Sequence, residues 1–278
     1  MTDKYQTYDD ATRIYILPNL FTAGNLFFGF LAIIRCIQAK YNVDEAVSVS
    51  YYTQAVWFIL FACICDVLDG FIARMKGKES LFGKEFDSIA DAVSFGMAPA
   101  LMVFFLILSP TDDYPFFRQV GWIIGYLYLL CAGIRLARFN VITHPLLPEP
   151  EGTDDEGLNP SDFVGLPTTA AAGLIASLVL ALNSFDLREW TLLLPVLMIF
   201  VAWLMVSNIP FPSIKNINWK TKANLPTFIF VVLLIVIGLH FKELSFVIFF
   251  LSYIGYSLFR AIRISRKRRA AAIIHSDN

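Results

Sequence analysis

Histidine is almost missing from this chain: three in 278 residues, against 26 phenylalanines. Cysteine is scarce too, and Cys36, Cys63, Cys65 and Cys131 all fall inside long apolar runs. Buried thiols in such runs act as small hydrophobes, which argues against disulfides and against thiolate metal ligation. The formal net charge is −1, so no one-signed field is available to hold a nucleic acid. The chain shows no long-period repeat and no glycine-rich phosphate loop of the soluble nucleotide-binding kinds. Nor does any stretch read as a separate soluble domain.

What the chain has in excess is hydrocarbon. It is 57% hydrophobic and 15% aromatic, with a mean hydropathy of +0.61. Its apolar runs of about 20 residues are long enough to cross a bilayer as helices. Eight spans are expected: Ile16–Gln38, Tyr52–Arg74, Lys84–Leu108, Val120–Phe139, Val164–Leu182, Thr191–Ile209, Ala223–His240 and Leu244–Ile264. The expected fold is therefore an all-α polytopic membrane protein forming one integral domain over 1–278. The first span lacks the basic leader, short apolar region and small-residue cleavage site of a removed signal. Lys and Arg divide 17 to 5 between the two sides, which puts both termini on the basic, cytoplasmic side. Residues 1–15 read as a cytoplasmic N-terminal segment, 144–163 as an acidic, Pro- and Gly-rich cytoplasmic loop, and 265–278 as a basic tail facing anionic lipid.

Against this background, CDVLDGFIARMKGKESLFGKEFDSIAD stands out. Asp66, Asp69, Asp87 and Asp91 lie in otherwise apolar segments, and charge at membrane depth is costly enough to mark function. Asp66 and Asp69 stand at i, i+3, and Asp87 and Asp91 at i, i+4, so each pair shares a helix face. A short loop with Gly77 and Gly83 predicts a hairpin that gathers all four carboxylates. Four anions in low dielectric need protons or cations among them, and cations fit better. With no His in the stretch and only oxygen ligands, Mg²⁺, Mn²⁺ or Ca²⁺ is expected rather than zinc. Two divalent cations would balance the charge and suit phosphoryl transfer.

Other polar groups sit at the same membrane edge. Thr22 and Asn25 share a face and offer contacts to a headgroup or nucleotide. Gly70 and Ala73 are small enough to admit a ligand, and Arg74 has a phosphate-binding fork. Arg135 and Arg138 share a face suited to a lipid phosphate or a carboxylate. Ser207, Asn208 and Ser213 end the sixth span in neutral hydrogen-bonding groups.

The hairpin matches D-x2-D-G-x2-A-R-x8-G-x3-D-x3-D at Asp66, Asp69, Gly70, Ala73, Arg74, Gly83, Asp87 and Asp91. In this it resembles the CDP-alcohol phosphotransferases. SFGMAPA at 94–100, RLARFN at 135–140, GLPTTAAAG at 165–173 and MVSNIPFPS at 205–213 look like the phosphatidylserine synthase branch of that family. The resemblance implies a six-helix catalytic core, here 16–213, with the two helices of 223–264 added. It implies CDP-diacylglycerol and L-serine as substrates, phosphatidylserine and CMP as products, and commonly a homodimer. It further implies that the four Asp hold two Mg²⁺ or Mn²⁺ ions, with Asp91 as general base. Gly70, Ala73, Arg74 and Gly83, with Thr22 and Asn25, would then line the cytidine-diphosphate pocket. Arg135, Arg138, Ser207, Asn208 and Ser213 are left for serine or a lipid phosphate. The expected location is the cell membrane of a bacterium or archaeon, with a cytoplasmic active site. Two other readings stay open: a different acceptor, such as glycerol 3-phosphate or inositol phosphate, and a divalent-cation transporter.

Overall fold

The computed structural model describes residues 16–76, 81–108, 117–142, 163–185, 187–212 and 242–276. The N-terminal segment, most of the acidic loop, Ser213 and the expected Ala223–His240 span lie outside these residues. Seven helices are described: α1 (Ile16–Tyr41), α2 (Glu45–Lys76), α3 (Leu81–Leu108), α4 (Phe117–Ile142), α5 (Thr168–Ser184), α6 (Leu193–Val206) and α7 (Lys242–Ser276). Five of them, α1 to α4 and α7, are long and apolar enough to cross a membrane, whereas α5 and α6 are shorter apolar helices. The chain is a multi-pass integral membrane protein.

Packing is sorted by side-chain size. In α5, Ala170, Ala171, Ala172, Gly173 and Ala176 are all buried, so neighbouring helices approach its backbone closely. Between apolar helices in lipid, such close contact supplies the attraction that water supplies elsewhere. The large side chains point the other way: Phe27, Phe30, Trp122, Tyr126 and Trp203 are exposed on the outside, where acyl chains would cover them. At about 1.5 Å per residue, α2 is about 48 Å long and overruns a hydrocarbon core of roughly 30 Å. Its last turns carry Asp66 and Asp69.

Helix α3 is continuous but not uniform. After Asp91 it widens over Ala92–Met97, where the N–H of Ala98 bonds Val93 O, five residues back. Pro99 has no N–H to give to Phe95 O, and the buried Tyr128 hydroxyl donates to that carbonyl at 3.1 Å. A Cβ at Gly29 would collide with the backbone and side chain of Ser94, so a glycine is what lets α1 and α3 close together. Ser94 Oγ then donates to Asn25 O at 2.9 Å.

The structure departs from the sequence expectations at several places: α2 begins seven residues before the expected Tyr52, and α7 runs on as helix to Ser276 through residues expected as a tail. Gly83 lies inside the first turn of α3, not in the connecting loop, because Phe82 and Phe86 stack one turn apart at 6.1 Å and hold that turn helical. The fifth helix begins at Thr168 instead of Val164. Phe163–Val164 (β1) instead pairs antiparallel with Pro210–Phe211 (β2), a two-stranded ribbon in an otherwise helical fold. The sixth helix stops at Val206, where Ser207 turns extended.

Candidate metal centre

The hairpin of α2 and α3 brings Asp66, Asp69 and Asp87 together: one oxygen from each lies within 4.8 Å of the others. Oxygens bound to one small cation at 2.0–2.6 Å stand at such separations. The donor set is all carboxylate, the choice of a hard cation. Asp87 Oδ1 is out of contact with solvent and has no hydrogen-bond partner among the described residues. A buried anionic oxygen in that position is satisfied by a cation, so these residues fit a divalent metal.

Asp91 lies outside this trio, one turn beyond Asp87 and buried. Its Oδ1 accepts from Asn25 Nδ2 at 3.0 Å. Thr22 Oγ1 donates to Asp69 Oδ2 at 3.0 Å. Thr22 and Asn25 are thus both buried with their donors on carboxylates, because the Gly29–Ser94 contact draws α1 against the hairpin. Thr169, at the start of α5, donates to Asp66 Oδ2 at 2.9 Å. Ser88 and Asn140 join α3 to α4 beside Asp87, with Asn140 Nδ2 on Ser88 Oγ at 2.9 Å. Sequence reasoning missed Thr169, Ser88 and Asn140. Thr169 and Asn140 fall within the GLPTTAAAG and RLARFN stretches, but nothing in those stretches gives either residue a partner.

The two arginines that share a face of α4 have different surroundings. Arg135 is buried, donates to Thr168 Oγ1 at 3.3 Å and lies over Phe139. Arg138 reaches the end of α6. Its Nη2 donates to Val164 O at 2.7 Å and Ser207 O at 3.2 Å, and its Nη1 to Val206 O at 3.1 Å and Asn208 Oδ1 at 3.3 Å. A cation at a helix C-terminus meets the negative end of the helix dipole and its unbonded carbonyls. Gly165, at φ 83°, lets the chain pass within contact of Arg138 and Met205 O. Arg138, Ser207 and Asn208 are therefore joined to one another, and Ser207 Oγ bonds back to Leu204 O at 2.8 Å. The hairpin glycines Gly70 and Gly83 are half-buried. Ala73 and Arg74 lie in the last turn of α2, where only the backbone is described. Cys63 and Cys65 diverge, Cys63 toward Thr169 O and Cys65 toward Gly24, and all four cysteines are free.

Comparison with known proteins shows the family. The sequence model of the CDP-alcohol phosphatidyltransferase family matches residues 15–207. A CDP-diacylglycerol–serine O-phosphatidyltransferase of Helicobacter pylori (strain ATCC 700392 / 26695) is 34% identical over 225 residues, covering 80% of this chain and 83% of that protein. An archaetidylserine synthase of Methanothermobacter thermautotrophicus is 32% identical over 212 residues, 76% of this chain and 75% of that protein. A CDP-diacylglycerol–serine O-phosphatidyltransferase of Saccharomyces cerevisiae is 34% identical over 179 residues, 63% of this chain and 59% of that protein.

Proposed function

Since the chain belongs to the CDP-alcohol phosphatidyltransferase family, we propose that it moves the phosphatidyl group of CDP-diacylglycerol onto the hydroxyl of L-serine, giving phosphatidylserine and CMP. The observation that carries the chemistry is the carboxylate trio Asp66, Asp69 and Asp87, with a separately held Asp91 one turn away. The serine acceptor is supported by the names of the relatives and by Arg135, a buried cation in the last turns of α4.

Asp66, Asp69 and Asp87 would hold the divalent cations, with Asp91 contributing from its position beyond them. Divalent cations held there would supply positive charge against the diphosphate and the departing CMP. Asp91 takes the proton of the serine hydroxyl, whose oxygen forms a bond to the phosphatidyl phosphorus as the phosphorus–oxygen bond to CMP breaks. Asn25 keeps the Asp91 carboxylate turned toward that proton. Gly70, Ala73, Arg74 and Gly83 leave room for, and contact, the cytidine diphosphate. Arg135 takes the serine carboxylate.

A serine site needs one such cationic group. An acceptor bearing a phosphate needs more, and the donors of Arg138 are turned to the end of α6. The test is CMP release by purified protein with each acceptor in turn. Serine is expected to be used well, ethanolamine poorly for want of the carboxylate, and glycerol 3-phosphate hardly at all. Faster release with glycerol 3-phosphate or inositol phosphate overturns the acceptor assignment. No CMP release with any acceptor favours ion transport instead.

A further inference from the structure

We infer that Thr169 is a positioning residue of the metal centre, fixing the Asp66 carboxylate through its hydroxyl; this rests on the metal reading above. Threonine and serine hydroxyls within helices usually turn back onto a carbonyl of the preceding turn. Thr53, Ser177 and Ser257 do this, bonding Val49 O, Leu174 O and Tyr253 O, whereas Thr22 and Ser94, like Thr169, reach another helix beside the carboxylates. Thr169 is the second residue of α5, and the residue four before it is Gly165, outside the helix in a left-handed turn. No helical carbonyl lies beneath its hydroxyl, which instead reaches α2 and donates to Asp66 Oδ2 at 2.9 Å.

The contact is held from several sides. The Cys63 thiol, one turn before Asp66, donates to Thr169 O at 3.8 Å, so α2 grips the same residue twice. Thr168 accepts from Arg135. Leu166 N–H bonds Leu204 O at 3.1 Å and fixes the turn that leads into α5. Helix α7, beyond the family match, adds a brace: Tyr253 donates to Pro212 O at 3.2 Å and packs on Phe211 of the ribbon. A carboxylate with one oxygen on a fixed hydroxyl keeps one orientation toward the metal, and loss of such outer partners typically weakens binding by about 10–100-fold.

The experiment measures Mn²⁺ binding to the purified full chain by electron paramagnetic resonance, without lipid substrate or serine. Thr169→Val, nearly equal in volume, is expected to bind Mn²⁺ at least about tenfold more weakly, while Thr169→Ser binds like the parent and Thr53→Val is unchanged. Parental affinity in Thr169→Val overturns the proposal, as does failure of serine to restore what valine loses. If the valine variant does not fold, Thr169→Ala carries the same two outcomes. A parent chain that binds no Mn²⁺ overturns the metal reading and this inference with it. An error in the acceptor alone would show in CMP release and leave the Mn²⁺ result standing.

Discussion

Asn25 and Asp91 face each other across the α1–α3 contact, the amide of one donating to the carboxylate of the other at 3.0 Å, both buried. The pairing separates Asp91 from the trio and gives it a fixed orientation. Asp91→Asn is expected to lower kcat by about 10²–10⁴-fold, with a smaller change in the KM for CDP-diacylglycerol. Asn25→Ala should lower kcat in the same direction by a smaller factor. Steady-state kinetics of CMP release measures both, and a purely KM effect would remove Asp91 from the role of base.

Metal removal should stop the reaction. EDTA is expected to abolish CMP release, and Mg²⁺ or Mn²⁺ added in excess to restore it. Asp66→Asn, Asp69→Asn and Asp87→Asn should each lose most activity and bind Mn²⁺ more weakly. Full turnover in metal-free buffer would remove the cations from the mechanism.

Arg135 and Arg138 should part ways on substitution. Arg135→Gln is expected to raise the serine KM about tenfold or more, the loss of roughly one charged hydrogen bond. Arg138→Gln should leave the serine KM near that of the parent and lower stability by about 2 kcal/mol, since charged hydrogen bonds to carbonyls are lost. Acceptor titrations and thermal unfolding in detergent distinguish the two. A raised serine KM in Arg138→Gln would return that residue to the acceptor site.

Gly29→Ala tests the close approach of α1 and α3. The added methyl meets Ser94, backbone included, so the helices must part. A cost of about 1–3 kcal/mol is expected, together with reduced turnover as Asn25 draws away from Asp91. An unshifted melting temperature would mean that the contact is looser than described.

The 17-to-5 division of Lys and Arg leads us to expect the turn around Lys78 on the cytoplasmic side. A cysteine in place of Lys78, in a chain whose own four cysteines are replaced, should resist an impermeant thiol reagent on intact cells and react once they are opened. Rapid labelling from outside would invert the topology.

The acidic hairpin was legible in the sequence because four carboxylates in apolar segments have few inexpensive explanations, and their spacing set the shared faces. Thr22 and Asn25 were legible as a face; their partners were not, because the Gly29–Ser94 approach that aims them is a tertiary contact. Thr169 was hidden for a local reason. Most membrane threonines bond their own helix, and only the structure shows that this one starts a helix and has no carbonyl to turn to. Arg135 and Arg138 read alike from sequence, two cations on one face at a membrane edge. What separates them is where α6 ends. Gly83 read as loop because glycine usually breaks helices, whereas it sits in the first turn of α3 beside the stacked Phe82 and Phe86.

Arg138 has one more consequence. It ties the last turns of α4 to Val164, 26 residues further on, so two points distant in the sequence are held at a single guanidinium. Whatever lies between is already closed at its base. Lengthening a closed segment costs little, about 0.6 kcal/mol for each doubling. Residues added between His144 and Asp162 would lengthen a segment whose two ends this contact already fixes. An epitope or a small rigid domain inserted there would let a protein of this modest size be captured or oriented for imaging while its carboxylates stay in place.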